Sequence, residues 1–240
     1  MHRILVATEA LADDFPALGT DAARHLKVLR LVNGEKIELF DGCGRTREYI
    51  WDSGRLLKAG EIITHEHPAF PLTLFACVTK GSRWDWTIEK ATELGVSRIV
   101  PVISERTIVR LTKEERAKKR ERWQRIVEDA ARQSDAKFVP EVLEARDFTE
   151  AVEMLLECTC FVGALLSDIP KLLIDEALKR RSTGNHKSNI AIFVGPEGDF
   201  TEKELSVLID KGVPTSFGAN ILRAETASVY ALSILKSVFV

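Results

Sequence analysis

The sequence predicts an α/β protein of two parts, a small β-rich barrel followed by a larger domain built on a mainly parallel sheet. Three observations carry this prediction. Short strand patterns dominate residues 1–66, two prolines fall within the segment 67–71, and apolar strand patterns alternate with helical patterns from there onward. Such alternation is typical of a parallel sheet covered by helices, and a proline-rich segment between apolar strands is a natural linker. We therefore divide the chain into domains 1–70 and 71–240.

The N-terminal part is predicted to place short strands around one helix. Two segments of alternating apolar and polar residues flank the turn Asp41–Gly44, which is a hairpin signal. Thr20 is a candidate N-cap for the helix Asp21–Leu31, because its hydroxyl can accept a hydrogen bond from a free backbone amide. Strand-rich order over so short a span favours a small barrel. The predicted strands are Arg3–Ala7, Lys36–Phe40, Arg45–Trp51 and Glu61–Thr64.

The larger domain is predicted to alternate between buried strands and helices. Its first strand is a continuous apolar run, as expected when both faces are covered. Two helices start at capping boxes, in which a threonine is followed three residues later by a glutamate: Thr112 with Glu115, and Thr201 with Glu204. The predicted strands are Leu72–Val78, Arg98–Val102, Thr159–Leu165, Asn189–Val194 and Pro214–Phe217, and the predicted helices are Trp84–Leu94, Lys113–Ser134, Phe148–Leu155, Lys171–Arg181, Thr201–Lys211 and Ala224–Val238.

Composition argues against a membrane protein and against a generic binder of polyanions. The chain has 240 residues, of which 45% are hydrophobic and 29% charged, as in ordinary globular domains. No apolar run approaches the ~20 residues that a membrane span needs, and residues 1–7 do not resemble a signal peptide, so we expect a cytoplasmic protein with no membrane partner. Because the net charge is −2, any RNA site must be a local basic patch.

The four cysteines give no sign of a metal site. Cys43, Cys77, Cys158 and Cys160 form no CxxC pair, and no histidine lies near them at the spacing of zinc ligands. Cys158 and Cys160 alternate along an apolar stretch, so they are predicted to share one face of a strand. We therefore expect reduced thiols in the core and no bound metal.

Two polar loops follow strands of the predicted sheet and form the candidate ligand site. The first, Gly195–Phe200, continues directly from an apolar strand, and its glycines let a ligand approach the backbone closely. The second, Ile221–Ala227, opens the last helix and brings Arg223 and Glu225 to its start. From the residues alone, each loop can equally be a tight strand-to-helix turn, with Glu225 a helix-dipole partner and Arg223 an ion-pair partner.

The same two loops carry a resemblance to a known family. The strings VGPEGDFTEKEL and ILRAETAS resemble the signature of the 16S rRNA uracil-N3 methyltransferases, the RsmE family of the SPOUT superfamily of knotted methyltransferases. Similar stretches upstream are EKATELGVSRIVPVISERT, RWQRIVEDAARQS and HLKVLRLVNGEKIELFDG, so the resemblance covers nearly the whole chain. Asp199 departs from the family pattern, in which a second glycine is common at that position.

The resemblance implies a fold, a cofactor and partners. The family fold is a PUA-like barrel that helps to bind RNA, followed by an α/β domain with a parallel sheet and a trefoil knot. Its members are homodimers that use S-adenosyl-L-methionine. Carried over by matching position, the cofactor-binding residues are Leu165, Leu166, Gly195, Pro196, Glu197, Gly198, Ile221, Leu222, Arg223, Thr226 and Ala227.

The reaction implied by the resemblance is methylation of N3 of a specific uridine in 16S rRNA, within the small ribosomal subunit. The methyl group of the cofactor is already electrophilic, so the enzyme chiefly aligns it with the uracil nitrogen. N3 must also lose a proton, and the negative charge then spreads onto the carbonyl oxygens, where an arginine would stabilise it. Arg223 is the first candidate for that arginine and Arg106 the second, while Glu225 or Glu197 is the candidate proton acceptor.

RNA contacts are expected outside the cofactor loops. The target base must be unpaired or flipped out to be reached. A basic run starts at Arg106, but glutamates interrupt it, so a solvated helix face is the alternative interpretation. Trp84, Trp86 and Trp123 are interpreted as core or interface anchors and not as stacking platforms for bases. The predicted RNA-binding residues are Arg24, Lys27, Arg30, Arg106 and Arg110.

Three rival functions stay open at this point. The nearest is a SPOUT methyltransferase that acts on another RNA position, such as a ribose 2′-oxygen. A second is a non-catalytic ribosome-assembly factor that binds RNA and has kept the fold. A third is a dinucleotide-dependent α/β enzyme, although the sequence contains no GxGxxG fingerprint.

Overall fold

The computed structural model describes residues 1–165 and 171–240. These residues form two compact units. The first comprises Met1–His67 and Glu128–Val139, and the second comprises Pro68–Val127 and Pro140–Val240. The first unit therefore includes a segment from far along the chain. The division into domains 1–70 and 71–240 stays a prediction.

Each strand and helix predicted from the sequence overlaps an observed one, and the short strands β4, β8 and β9 were not predicted. In chain order the elements are β1 (His2–Leu5), α1 (Thr20–Val28), β2 (Lys36–Phe40), β3 (Arg45–Asp52), β4 (Arg55–Lys58), β5 (Ile63–Thr64), β6 (Leu72–Cys77), α2 (Ser82–Glu93), β7 (Arg98–Ile103), α3 (Lys113–Gln133), β8 (Glu141–Val142), β9 (Arg146–Asp147), α4 (Phe148–Glu153), β10 (Thr159–Gly163), α5 (Leu173–Thr183), β11 (Ile190–Val194), α6 (Glu202–Lys211), β12 (Val213–Thr215) and α7 (Ala224–Phe239).

The first unit is built on a five-stranded sheet. β1 pairs in parallel with β2, β2 pairs antiparallel with β3, and β3 pairs antiparallel with both β4 and β5. The predicted hairpin is therefore confirmed, with Phe40 paired to Thr46 across the turn. Side chains of alternate strand residues fill the core, including Ile37, Leu39 and Tyr49. Closure of this sheet into a barrel stays a prediction.

The predicted N-cap of α1 is wrong. Thr20 is already the first helical residue, Gly19 occupies the cap position, and no side chain caps the helix there. The helix also ends at Val28, three residues earlier than predicted. Arg30 adopts the left-handed backbone conformation, with φ 49°, so the helical path cannot continue through it.

A buried arginine joins the two chain segments of the first unit. The Arg3 side chain is 6% exposed, and its Nε donates to Glu38 Oε1 at 2.6 Å. Its remaining nitrogens donate to the carbonyl oxygens of Ala131 at 2.9 Å and Ala136 at 3.0 Å, at the end of α3. The guanidinium also lies over the Phe40 ring, 4.1 Å from its centroid. Burial of this charge is tolerated because its partners are all supplied by the fold.

The second unit is built on a parallel sheet with the strand order β12-β10-β11-β6-β7-β8, and β9 also pairs with β7. All of these pairings are parallel. Every residue of β11 is buried, which accounts for its uninterrupted apolar sequence. Phe193 of β11 stacks on Phe75 of β6, with ring centroids 5.5 Å apart and an interplanar angle of 8°.

Two helices of the second unit, α3 and α6, begin at the capping boxes predicted from the sequence. At α3, the Thr112 amide donates to Glu115 Oε2 at 2.8 Å, and the Glu115 amide donates to Thr112 Oγ1 at 3.3 Å. At α6, Thr201 and Glu204 make the same reciprocal pair, at 3.0 and 3.3 Å. Both predicted boxes are confirmed. The last helix, α7, packs against α2, α5 and the central strands β6 and β11.

The prediction that all four cysteines are core thiols needs correction. Cys43 is exposed, so it is not a core thiol, whereas Cys77 and Cys160 are buried as predicted. Trp84 and Trp123 are buried and contact each other edge to face at 5.5 Å, but Trp86 is 42% exposed.

No helix in the described ranges is long and apolar enough to cross a membrane. Those same ranges contain no group of three or more histidine, cysteine, aspartate or glutamate side chains placed to hold a metal ion.

Replacement of Arg3 by methionine is expected to destabilise the chain by about 3 kcal/mol, because it leaves the Glu38 carboxylate buried without its main partner. That value lies at the low end of the range for a broken buried pair, since Lys137 Nζ still reaches Glu38 at 3.6 Å. Urea unfolding followed by near-ultraviolet circular dichroism measures the change. Arg24→Met is the matched control, because its ion pair with Asp21 is exposed and should contribute less than ~1 kcal/mol. Equal stabilities of the two variants would contradict the structural role of Arg3.

Candidate functional site

A cavity opens at the carboxyl edge of the sheet in the second unit. Because β12, β10 and β11 are parallel neighbours, the loops that follow them meet at one edge. The cavity has a volume of about 270 Å³, and the start of α7 closes one side of it. Its lining consists of Gly163–Leu165, Val194–Glu197, Asp199, Thr215–Gly218, Asn220–Ala224 and Ala227.

The loop after β11 is a tight turn. The Asp199 amide donates to the Pro196 carbonyl oxygen at 3.0 Å. The chain then folds back so that a Cβ atom added at Gly195 would lie 3.0 Å from the Phe200 ring. Phe200 is buried and packs edge to face on Phe193. Because Gly195 has no side chain, the buried Phe200 ring can pack directly against the backbone of the cavity wall.

Asp199 adopts the left-handed backbone conformation, with φ 58°. Glycine adopts this conformation without strain, whereas a side chain at this φ adds strain. Asp199 Oδ1 accepts a hydrogen bond from the Phe200 amide at 2.7 Å, which offsets part of that strain. The cap of α6 is Thr201, so the Asp199 carboxylate belongs to the cavity wall and not to the helix start.

The strand ends β10 and β12 form the opposite wall. A Cβ atom added at Gly163 would lie 2.6 Å from the Phe217 ring, so only glycine fits beneath this ring in its present position. Thr215 is fully buried, and its hydroxyl donates to the Val162 carbonyl oxygen at 3.2 Å. These contacts fix Phe217 and the strand end beside it as a rigid part of the lining.

The loop that leads into α7 contributes an arginine and a carboxylate. Arg223 stands at the N-cap position and is exposed. Its side chain makes no hydrogen bond or ion pair with any residue that the structure describes. The Glu225 side chain is 13% exposed, and its Oε2 atom is buried with no hydrogen-bond partner in the described part of the chain. Arg223 is therefore available to a ligand, whereas Glu225 is unpaired at Oε2 but is not part of the cavity lining.

A second arginine lies between the two loops. Arg83 Nη1 is 3.6 Å from Glu197 Oε1, and Arg83 Nε is 3.9 Å from Glu225 Oε1. Arg83 belongs to the first turn of α2, shortly after the end of β6. The sequence analysis did not select Arg83. The position of Arg83 shortly after β6 is a signal that could have selected it, because polar residues that follow parallel strands lie at the carboxyl edge of the sheet.

Arg106 and Arg110 are bound to backbone carbonyl groups. Arg106 Nη1 donates to the carbonyl oxygens of Gly198 at 3.0 Å and Phe200 at 3.3 Å. Arg110 donates to the carbonyl oxygens of Ser104 and Glu105, at 3.0 and 2.7 Å. Arg106 thus braces the loop after β11, and Arg110 braces the loop after β7.

Comparison with known proteins places the chain among RNA-modifying enzymes. A model of an RNA methyltransferase domain matches residues 65–236, and a model of an RNA methyltransferase PUA domain matches residues 18–50. The ribosomal RNA small subunit methyltransferase E of Synechocystis is 31% identical over 239 residues, which cover 97% of this chain and 76% of that protein. The chain belongs to this RNA methyltransferase family. The Bacillus subtilis member is 30% identical over 230 residues, which cover 93% of this chain and 90% of that protein.

Solved structures agree with the family assignment. A ribosomal RNA small subunit methyltransferase E from Neisseria gonorrhoeae, bound to S-adenosyl methionine, superposes with a TM-score of 0.77 at 31% identity and covers 100% of this chain and 98% of that one. A protein from Legionella pneumophila, described as a methyltransferase in complex with the bound cofactor SAM, has a TM-score of 0.83 at 26% identity, with coverage of 98% and 96%. The resemblance seen in the sequence is confirmed.

Most of the cofactor-binding residues predicted from the family resemblance meet at the cavity. Gly198, in the loop after β11, and Thr226, in the first turn of α7, are not part of the lining. Gly198 instead packs beneath Arg106, and a Cβ atom added at Gly198 would lie 3.5 Å from the Arg106 Cβ. Leu166 lies outside the described residues. The predicted residues that line the cavity are Leu165, Gly195, Pro196, Glu197, Ile221, Leu222, Arg223 and Ala227.

Four lining residues at the ends of β10 and β12 were not predicted from the sequence: Gly163, Ala164, Thr215 and Ser216. Thr215 is the last residue of β12, and Ser216 follows it; this strand of only three residues has a pattern that carries no ligand signal of its own. Their placement follows from the parallel pairing of β12 with β10. The rule that ligands bind at carboxyl ends of strands could have found them once that pairing was known.

The predicted RNA-binding residues of the first unit lie together on α1 and just after it. Arg24, Lys27 and Arg30 are all exposed. Arg24 makes an ion pair with Asp21 at 3.2 Å, with both side chains more than three-quarters exposed, so the pair is readily exchanged for another anion.

The cysteine closest to the carboxyl edge of the sheet is not a nucleophile. Burial raises the pKa of the Cys77 thiol to about 12, and its hydrogen bond to Ser104 Oγ at 3.4 Å lowers the pKa by less. The thiol therefore stays protonated at neutral pH.

Asp199→Gly is expected to be more stable than Asp199→Ala by about 1 kcal/mol, because both variants lose the carboxylate and only alanine retains a Cβ atom at φ 58°. Thermal unfolding of the two proteins under the same conditions measures the difference. Equal melting temperatures would mean that the backbone at position 199 is not held in the left-handed region.

Proposed function

We propose that this chain is an S-adenosyl-L-methionine-dependent methyltransferase that modifies N3 of a specific uridine in 16S rRNA of the small ribosomal subunit. The observation that carries the proposal is the cavity at the strand ends, beside which Arg223 and Glu225 Oε2 have no protein partner among the described residues. A nitrogen that must lose a proton before it accepts a methyl group requires a cation and a free acceptor. The relatives that are named for methylation of small-subunit rRNA support the substrate.

The cavity fits the cofactor in size and chemistry. Its volume of about 270 Å³ is close to the ~300 Å³ at which ligand pockets begin. Apolar side chains of Leu165, Val194 and Ile221 suit a flat adenine ring, and the Glu197 carboxylate suits a cationic group. When bound, S-adenosyl-L-methionine supplies a methyl group that is activated by a positively charged sulfur. The two neighbours solved with this cofactor support the assignment.

Glu225 is the proposed proton acceptor. In the proposed step the N3–H bond of uracil breaks and the proton passes to Glu225 Oε2. N3 would use the released electron pair to form its bond to the methyl carbon while the carbon–sulfur bond of the cofactor breaks, and the sulfur would keep the electron pair of that bond. Oε2 has no hydrogen-bond partner in the described chain, so its lone pairs are free for this purpose. A buried acceptor without a partner costs about 1–3 kcal/mol, and the N3–H donor of the bound base removes that penalty.

Arg223 is the proposed stabiliser of the negative charge that develops on the uracil carbonyl oxygens. Its guanidinium is exposed beside the cavity and makes no described contact with the protein. Arg106 is the second candidate, although its Nη1 already donates hydrogen bonds to the carbonyl oxygens of Gly198 and Phe200. Its proposed main effect is to hold the loop after β11 in place for cofactor binding.

We extend the proposal to the finer features that the family resemblance implies. These are a closed PUA-like barrel, a trefoil knot near the C-terminus, a homodimer and a cytoplasmic location. Two apolar side chains at the cavity edge, Leu165 and Ile221, are 57% and 79% exposed. Cover by a second copy of the chain would remove this apolar surface from water, which supports the homodimer.

Methyl transfer is tested with the purified chain, S-adenosyl-L-methionine and small ribosomal subunits from a strain that lacks the modification. We expect mass mapping of the 16S rRNA to show one new N3-methyluridine. Glu225→Gln, which removes the proton acceptor and keeps the shape of the side chain, is expected to lower kcat by ~10²–10⁴-fold. Glu202→Gln, on the exposed first turn of α6, is the control and should leave kcat unchanged.

Unmethylated rRNA together with no measurable binding of S-adenosyl-L-methionine in calorimetry would overturn the methyltransferase assignment and favour an assembly factor. Methylation at a ribose 2′-oxygen would overturn the position. Near-normal turnover of Glu225→Gln would remove Glu225 from the mechanism.

The α1 cluster is tested by charge reversal. The double variant Arg24→Glu, Arg30→Glu is expected to weaken binding to the small subunit and to reduce the slope of log K against log[salt] by about one for each lost phosphate contact. Electrophoretic mobility assays over a range of salt concentrations measure that slope. The double variant Lys179→Glu, Lys203→Glu, at exposed lysines on α5 and α6, controls for the same change of four charges. An unchanged slope in the double variant would exclude α1 from the RNA interface.

A further inference from the structure

The guanidinium of Arg83 lies between two carboxylates that belong to different elements. Glu197 is in the loop after β11, and Glu225 is in the first turn of α7. Both carboxylates present their Oε1 atom to the guanidinium, at 3.6 Å and 3.9 Å. Three elements of the second unit, α2, the β11 loop and α7, therefore converge on one cation.

The two contacts are electrostatic and loose. Charge-assisted hydrogen bonds between nitrogen and oxygen are usually about 2.7–2.9 Å long, and neither contact reaches that distance. The Arg83 side chain is 49% exposed, whereas those of Glu197 and Glu225 are 25% and 13% exposed. The carboxylates are thus the less solvated partners. Without the cation, two negative groups would face each other with little water to screen them.

The arrangement also selects which oxygen of Glu225 stays free. Arg83 faces Oε1, and Oε2 remains buried without a partner in the described chain. A general base needs a free lone pair in a fixed direction, because proton transfer depends on the alignment of donor and acceptor. The contact with Arg83 limits rotation of the Glu225 carboxylate and so keeps Oε2 in one position.

The start of α2 is built to hold Arg83 there. Gly81 precedes the helix with φ 70° and ψ −142°, a conformation that is open essentially to glycine alone. Trp84, the residue after Arg83, is buried against Trp123. The first turn of α2 is therefore fixed on both sides of Arg83.

We propose that Arg83 is a positioning residue for methyl transfer, which holds the Glu197 and Glu225 carboxylates together so that Glu225 Oε2 receives the N3 proton. This inference rests on the proposed function and adds to it a residue that acts through Glu225. A lysine has one point charge, while the fork of an arginine can face two carboxylates at once. Arginine at this position thus couples the cofactor loop to the proton acceptor.

The test is a double-mutant cycle with Arg83→Ala, Glu225→Gln and their combination, measured in single-turnover assays with saturating S-adenosyl-L-methionine and unmethylated small subunits. Arg83→Ala is expected to lower the rate by ~10²-fold, the usual effect of a displaced catalytic group. In the Glu225→Gln background, the same change should lower the rate less than about twofold, because Arg83 then has no proton acceptor to position. The Kd for the cofactor and the KM for the subunit should change much less than kcat.

Two further variants separate positioning from general stability. Arg83→Lys keeps one charge and should recover part of the lost rate. Arg98→Ala removes an arginine of similar exposure, 47%, whose ion pair with Glu141 lies away from the cavity, and should leave the rate unchanged. If Arg83→Ala does not fold, Arg83→Gln replaces it in the cycle.

Full additivity of the two changes, or a rate for Arg83→Ala within twofold of the wild type, would overturn the inference while the proposed function stands. A parallel loss of cofactor binding and rate would also overturn it, since Arg83 would then act on the pocket as a whole. A wild-type chain that methylates no subunit would overturn the proposed function and this inference together.

Discussion

Parallel strand pairing is the constraint on which the candidate site depends. Because β12, β10, β11 and β6 all run in the same direction, the residues that follow them are brought to one edge, although they are far apart in the chain. Each loop alone is an ordinary strand-to-helix turn. Their convergence creates a cavity, and close contacts such as Gly163 under Phe217 make that cavity rigid. A change in the register of β10 by one residue would exchange its two faces and remove Gly163 from beneath the ring.

Local sequence signals predicted much of the fold because they act over a few residues. The capping boxes at Thr112 and Thr201 place two helix starts correctly, and the hairpin around Asp41–Gly44 follows from turn chemistry. The strands β8 and β9 escaped prediction because two residues cannot show a period. The glycine-rich loops and the start of α7 could be selected as a site, but the Phe217 wall could not, since its partner Gly163 is distant in the chain and only the folded sheet brings them together.

The arginines of the second unit show why residue type alone does not assign a role. Arg106, Arg83 and Arg223 all lie near the cavity, and the sequence ranked Arg223 before Arg106 without indicating what any of the three contacts. In the structure Arg106 donates to backbone carbonyls, Arg83 faces two carboxylates, and Arg223 has no described partner. The three guanidinium groups therefore differ in what they are free to bind. The distances to neighbouring groups therefore assign the roles: Arg106 supports a loop, Arg83 lies between two carboxylates, and Arg223 is free to bind a ligand.

The first unit is made from two stretches of chain, and this has a consequence for its synthesis. Its hairpin turn is held by backbone bonds from Gly44 to Lys137 at 3.0 Å and from Val139 to Gly42 at 2.8 Å, and Arg3 ends on carbonyls of α3. These partners are translated roughly 70 residues after His67. At ~5–20 residues per second, the nascent N-terminal sheet waits ~4–14 s for them. During that interval Arg3 and the hairpin turn stay hydrated. The rate of translation therefore sets the earliest time at which the first unit can complete its folding.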